Sequence, residues 1–223
     1  MKSSRFLFMF SLVQFALLIP LALWVRGHKT PLREVILTRF FQRNQKSWKR
    51  KTITVLNTFT GSSVFLNILV VPIAAVLWRM RLRAEALAVL SSCWLGALVR
   101  TMLKQAVHRP RPNKGLVHVT SQSQGKSFPS GHTASSVCLW GWICALAFLY
   151  RDKIRPSLRA LFIIPAVFMV ITGPARVYLG DHWPTDVLGG YLFGGGWLTL
   201  SLGIYMQVRD RLTTNTMRFT NKN

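Results

Sequence analysis

Carboxylates are scarce in this chain. Glu34, Glu85, Asp152, Asp181, Asp186 and Asp210 are the six acidic residues, set against 29 lysines and arginines for a net charge of +23. A two-metal hydrolase gathers several carboxylates around its ions. Six spread over 223 residues do not supply such a cage, so no metal ligand set and no cofactor site is expected. Cysteine is scarce too. Cys93, Cys138 and Cys144 fall within apolar stretches without metal-ligand spacing, which leaves packing as their role.

Charge of either sign is missing from long blocks. Phe6 to Val25 carries none, and neither do Thr52 to Trp78, Thr133 to Tyr150 or Val187 to Val208. About 20 apolar residues span a bilayer as a helix. Two shorter blocks, Ala86 to Val99 and Ala160 to Ala175, reach that length with their flanks. The expectation is an all-α polytopic membrane protein of six transmembrane helices, near 6–25, 56–78, 84–103, 132–150, 159–176 and 185–207. They form one domain over residues 1–223, with a motif-bearing core at 84–208 and a loose polar tail at 209–223. Lys2 and Arg5 ahead of the first block resemble a secretion signal. The block is too long for one, and Trp24 and Arg26 stand where a small-residue cleavage site would fall, so it reads as a retained helix.

An excess of base can signal nucleic acid. Here the basic residues lie in loops between apolar spans, where anionic lipid headgroups are the natural partner and nucleic acid is not. The loop 26–51 holds nine of them around Leu32, Val35, Ile36 and Phe40, a pattern open to either an interfacial helix or a plain basic loop. Two helices separate the loop 104–131 from the loop 177–186, so both face one side of the membrane. Basic residues number 13 on one side and 14 on the other, so charge count barely orients the chain. Outer-loop cations committed to chemistry favour an inner amino terminus and an outer-facing site.

Three polar clusters fall on that shared face. Lys104 and Arg111-Pro112 bracket the first, Pro129-Ser130-Gly131-His132 opens the fourth helix, and Arg176, His182 and Asp186 make the third. Lys104, Arg111 and Arg176 can clamp the oxygens of a phosphate ester. Ser130 and Gly131 sit at a helix start, where backbone N–H groups and the helix dipole favour an anion. His182 and Asp186 stand four apart and share a helical face. A carboxylate on one ring nitrogen would leave the other free to attack phosphorus, and His132 would act as acid and then base.

Lys104-x6-Arg111-Pro112, Pro129-Ser130-Gly131-His132 and Arg176-x5-His182-x3-Asp186 resemble the three signature motifs of the type 2 phosphatidic acid phosphatase superfamily, in the family's order. The resemblance implies a metal-independent phosphohistidine mechanism with the roles just given. One departure is Ala175, where the family often has serine, so one hydrogen bond to phosphate is expected to be lost. Other residues read more plainly: His28, His108 and His118 as structural, Asp181 as a loop or capping residue, and the glycines around Gly190 and Gly194 as helix packing. Arg100 is either functional or snorkelling. Tyr178 and Trp183 are either substrate contacts or interfacial aromatics.

The expected activity is hydrolysis of a lipid phosphate or diphosphate, with undecaprenyl diphosphate as the first choice of substrate. Phosphatidylglycerophosphate or phosphatidate comes next. A lipid phosphotransferase and a non-catalytic transporter or scaffold are the rivals. The resemblance implies a bacterial inner membrane, with the site on the periplasmic side.

Overall fold

In the computed structural model, residues 2–120 and 124–220 are described, with side chains from 4 to 211. Among the described residues nine α-helices follow one another: α1 Lys2–Gly27, α2 Leu32–Phe41, α3 Ser47–Gly61, α4 Ser63–Arg79, α5 Arg83–Val107, α6 Gly131–Leu149, the single turn α7 Pro156–Arg159, α8 Ile163–Tyr178 and α9 Pro184–Thr220. Among the described residues five spans are long and apolar enough to cross a membrane: Ser4–Gly27, Arg83–Val107, Gly131–Leu149, Pro156–Tyr178 and Pro184–Arg211. The bent pair α3–α4 makes a sixth if counted as one. A helix suits hydrocarbon because it bonds every internal backbone group to itself.

The molecule is all-α and integral to the membrane, as its composition suggests. Many large apolar side chains are exposed, Phe6, Met9, Leu12, Ile68, Leu98 and Val170 among them. Many of its buried ones are polar. Helix α6 is buried over 61% of its span, against 17% for α1, so it is the central post around which α4, α5, α8 and α9 stand. Leu66, Val70, Val89, Cys93, Leu139, Trp142 and Tyr205 form the main core between these helices. Cys93 and Cys138 lie in that core and are unbridged, consistent with packing. Away from the motif clusters, Tyr150 and Tyr205 both donate to the Glu85 carboxylate, which ties α5 to the end of α6 and to α9.

Three boundaries differ from the sequence reading. The helix expected at 56–78 is two helices meeting at 45°. The break is at Ser62, whose backbone leaves the helical region and whose hydroxyl accepts from Phe65 N to cap α4. Second, α5 runs to Val107, so Lys104 is on the helix and not in the following loop. Third, α9 continues to Thr220, so residues 209–220 are helical where a loose tail was expected; 221–223 fall outside the described residues. Of the two readings of 26–51, the helical one holds: α2 exposes Leu32, Ile36 and Phe40 and buries Glu34, Val35 and Thr38.

Close packing of α6 on α9 sets the depth of the second motif cluster. A Cβ at Gly190 would lie 2.9 Å from both Ser130 O and Thr133 Cβ, and one at Gly194 would lie 2.9 Å from Val137 Cβ. These glycines let the two backbones meet, as the Gly-x-x-x-Gly step suggests. Gly190→Leu is expected to destabilise the protein by about 1–3 kcal/mol through overpacking. Gly27→Ala, with nothing within 4 Å of its Cβ, should be near neutral; thermal unfolding in detergent compares the two.

Candidate active site

Each cluster is delivered by the end of a helix. Helix α5 stops at His108, which takes a left-handed conformation (φ 53°) while its N–H bonds Lys104 O. Pro110 and Pro112 cannot continue a helix, so Arg111 is carried in extended chain towards the α8–α9 turn. Ser130 caps α6: its Oγ accepts from Thr133 N and Thr133 Oγ1, and its own N–H donates to Asp186 O at 2.9 Å. Ser130 is thereby occupied, and Gly131 and His132 carry the first-turn N–H groups that lack intrahelical partners. Between α8 and α9 the chain turns in five residues. Gly180 adopts φ +73° there, and a Cβ on it would run into the carbonyl of His118.

Asp186 lies at the centre and is fully buried. Its Oδ1 accepts from Arg109 Nη1 at 2.7 Å. Its Oδ2 accepts from Trp183 N at 2.8 Å and, over a very short distance, from Ser127 Oγ. Arg109 is equally buried, bonds Thr185 Oγ1 at 2.7 Å and Lys29 O at 3.1 Å, and lies 3.6 Å from Glu34 Oε2. Burial pushes the Glu34 carboxyl up from its ordinary value, and the Arg109 guanidinium pulls it back. The row Asp186–Arg109–Glu34 therefore joins α9, the first-motif loop and α2.

His182 is buried beside this row. Arg111 Nη1 lies 3.2 Å from His182 Nε2. A guanidinium only donates, so Nε2 carries the lone pair and the ring proton is on Nδ1. The direct histidine–carboxylate bond expected from the spacing is replaced by a relay: Nδ1 is 3.6 Å from Asp186 Oδ2 and 3.4 Å from the Ser127 hydroxyl, which itself donates to Asp186. Burial, followed by the positive fields of Arg111, Lys104 and Arg176, holds His182 well below the ordinary histidine value. It is a neutral ring with its lone pair turned towards cations.

Those cations are of two kinds. Arg176 is paired with Asp181 at 3.0 Å, both buried, so Asp181 is an ion-pair partner and more than a capping residue. Among the described residues, Lys104 and Arg111 hydrogen-bond no carboxylate: Lys104 Nζ donates to Lys126 O, and Arg111 to Gly125 O, Asp181 O and His182. His132, at the second residue of α6, stands within electrostatic reach of Arg176, His182, Arg111 and Lys104. All eight residues read from the sequence, Lys104, Arg111, Ser130, Gly131, His132, Arg176, His182 and Asp186, thus meet in one place. Among the described residues no three His, Cys, Asp or Glu side chains are grouped to hold a metal ion.

Arg100 does not snorkel. It is buried and donates to Gly131 O at 3.2 Å and Ser135 Oγ at 2.6 Å, fastening the first turn of α6. Trp183 is not an interfacial aromatic either: it is fully buried, its ring 5.9 Å from the Arg109 guanidinium and its Nε1 bonded to Pro110 O. Three residues escape sequence reasoning. Arg109 sits in the basic Pro-rich run, where it is masked by Arg111. Ser127 has no distinguishing pattern. Glu34 could have been flagged as a rare carboxylate within an apolar helix.

Residues 85–210 match the PAP2 superfamily. The chain is 33% identical over 151 residues to phosphatidylglycerophosphatase B of Bacillus subtilis (strain 168), covering 67% of this chain and 72% of that protein. It is 32% identical over 142 residues to a lipid A 1-phosphatase of Rhizobium etli, 56% of this chain and 55% of that one. Among solved structures, a transmembrane PAP2-type phosphatidylglycerolphosphate phosphatase from Bacillus subtilis superposes with a TM-score of 0.78 at 26% identity, covering 89% of this chain and 96% of that one. Aquifex aeolicus LpxE, at 21% identity, covers 78% of this chain and 97% of its own and shares the fold with a TM-score of 0.60. With the motif residues gathered at one site in a matching fold, the chain belongs to the PAP2 superfamily and is a relative of PAP2-type lipid phosphatases.

Proposed function

We propose that this protein removes a terminal phosphate from a membrane lipid by attack of His182 Nε2 on phosphorus. The observation that carries the reading is the neutral, buried His182, whose lone pair faces Arg111 beside a second cation, Lys104, with no carboxylate bonded to either among the described residues. A phosphate dianion supplies the two negative charges that this arrangement lacks.

Arg111, Lys104, Arg176 and the first-turn N–H groups of α6 hold the phosphoryl oxygens. Nε2 forms the bond to phosphorus as the ester oxygen leaves and takes a proton from His132. The bound dianion favours the protonated form of His132 in a site otherwise full of positive charge. Asp186 and Ser127 hold the Nδ1 proton and stabilise the ring as it becomes cationic. Water then attacks the phosphohistidine, His132 takes its proton, and inorganic phosphate departs. No step calls on a metal.

For the lipid, likeness favours a phosphatidylglycerophosphate-type monoester over the undecaprenyl diphosphate expected from the sequence. The phosphatidylglycerophosphatase relative is matched over 151 residues, against 97 residues at 30% identity for the undecaprenyl-diphosphatase BcrC of Bacillus subtilis. That second match keeps the diphosphate as the alternative. The inferred setting is a bacterial inner membrane with the site on the outer side. One domain spans the chain, and anionic headgroups lie against its basic loops.

Purified protein in detergent with EDTA is expected to release phosphate from phosphatidylglycerophosphate faster than from undecaprenyl diphosphate or phosphatidate. His182→Ala should lower kcat by at least ~10⁴-fold, as loss of a nucleophile does in other covalent enzymes. Phosphate found on another acceptor, with none free, would make the protein a phosphotransferase.

Ser127→Ala should lower kcat by about tenfold with KM little changed, the value of one hydrogen bond that orients the ring. An unchanged kcat would remove Ser127 from the relay.

His182 is held neutral, so the acid limb of kcat/KM should lie below about 6.5, the ordinary histidine value. The sign follows from the depressed value: the lone pair is kept until the pH falls well under that of a free imidazole. An acid limb above that value in the pH–rate profile would contradict the assignment.

A further inference from the structure

One lipid-facing feature adjoins the site. Helices α3 and α8 diverge around an apolar groove of about 370 Å³. Ile53 and Leu56 form one wall, Val170, Pro174 and Ala175 the other, and Phe41 and Tyr178 stand at its α2 end. Leu56 and Val170 are 47% and 67% exposed, so the groove opens towards the surrounding lipid. Ala175 lines it, while its neighbour Arg176 is turned into the protein and buried. The methyl at the position where serine was expected to touch phosphate is therefore part of a hydrocarbon surface.

We infer that this groove seats a hydrocarbon chain of the substrate lipid while its phosphate lies at Arg176 and His182. The inference rests on the lipid-phosphatase reading above and adds where the tail goes. Nearness to the site argues for the substrate's own chain: on α8 the groove-lining Ala175 is the immediate neighbour of the buried Arg176. The groove lies on the same end of α8 as the α8–α9 turn. A second apolar groove of about 470 Å³ between α5 and α9 has neither feature. It is lined by Leu87, Leu95, Ile204 and Val208 near the Glu85 end of the bundle, and no motif residue touches it. Chains of bulk lipid are its natural occupants.

Two readouts test the inference. The first is turnover of phosphatidate with two oleoyl chains against phosphatidate with two hexanoyl chains. Leu56→Trp and Val170→Trp fill the groove, and Leu87→Trp fills the other one as a control. Loss of the space for roughly two methylenes is expected to raise KM for the long-chain lipid by about tenfold. The kcat, the short-chain KM and the Leu87→Trp variant should stay within about twofold of wild type. Equal effects on both chain lengths, or none, would overturn the inference.

The second readout needs no turnover. His182→Ala protein is photolabelled with phosphatidate bearing a diazirine at the end of one acyl chain, and separately with phosphatidylcholine bearing the same chain. Labelling of residues 53–60 and 170–178 by the phosphatidate, weaker with phosphatidylcholine and lost in Leu56→Trp, supports the groove even if the wild type hydrolyses no lipid. That last result would instead count against the phosphatase reading. Equal labelling by both lipids makes the groove a seat for bulk lipid and overturns the inference.

Discussion

The charge pair between Asp186 and Arg109 is the interaction on which the rest of the site hangs. Both side chains are fully shielded from solvent, at a place where two apolar helices end. Two such charges lose several kcal/mol each of hydration, recovered only if the pair is close and its remaining atoms are bonded. Asp186 receives Arg109, Ser127 and Trp183 N, and Arg109 spreads Nη1 and Nε over Asp186, Thr185 and Lys29 O, while its Nη2 makes no hydrogen bond and lies 3.6 Å from Glu34 Oε2. Removing either partner would strand a buried charge, at a cost of about 3–5 kcal/mol. Because the donors come from the turn before α9 and from both ends of the α5–α6 loop, this one carboxylate fixes three chain segments relative to His182.

Scarcity of acid elsewhere then acquires a physical meaning. Of the six carboxylates, Asp186, Asp181 and Glu34 are spent on buried arginines within or behind the site, and Glu85 is held by two tyrosines away from it. Lys104 and Arg111 are left with neutral partners, in surroundings of low polarity where an uncompensated positive charge acts strongly on any anion that enters. Burial first, and then the same field, favours the unprotonated form of His182. The cations that attract an anion thus also help to keep the lone pair available.

The bilayer explains the form in which this is delivered. A helix ending at the membrane boundary leaves backbone groups to be bonded by something else. The ends of α5, α6 and α8 and the start of α9 meet those needs with one another and with the site: Ser130 N bonds Asp186 O, and Arg100 bonds Gly131 O. Helix α2 closes the arrangement from the side. Its buried Glu34 and Val35, and Gln42 just after it, face the motif loops, where Gln42 donates to His118 O and Tyr178 O, while Leu32, Ile36 and Phe40 are exposed. This short helix is in this way part of the support of the site.

By itself the sequence determined the class of fold, the rough span of each long helix and the eight motif residues. Each of these is a local property. Transmembrane length is written in runs of uncharged residues, and the motif spacings are fixed by helix ends and prolines close at hand. Only the tertiary structure decided that Ser127 stands between His182 and Asp186, that Ala175 lines a groove, that α3 and α4 bend apart at Ser62, and that Arg109 holds the carboxylate. Arg109 and Asp186 are 77 residues apart, Ser127 and Asp186 59, and Glu34 and Thr185 151. A hydrogen bond across such separations depends on how whole helices are placed against one another. That placement is set by close packing of backbones at residues such as Gly190 and Gly194, and no periodicity along the chain records it.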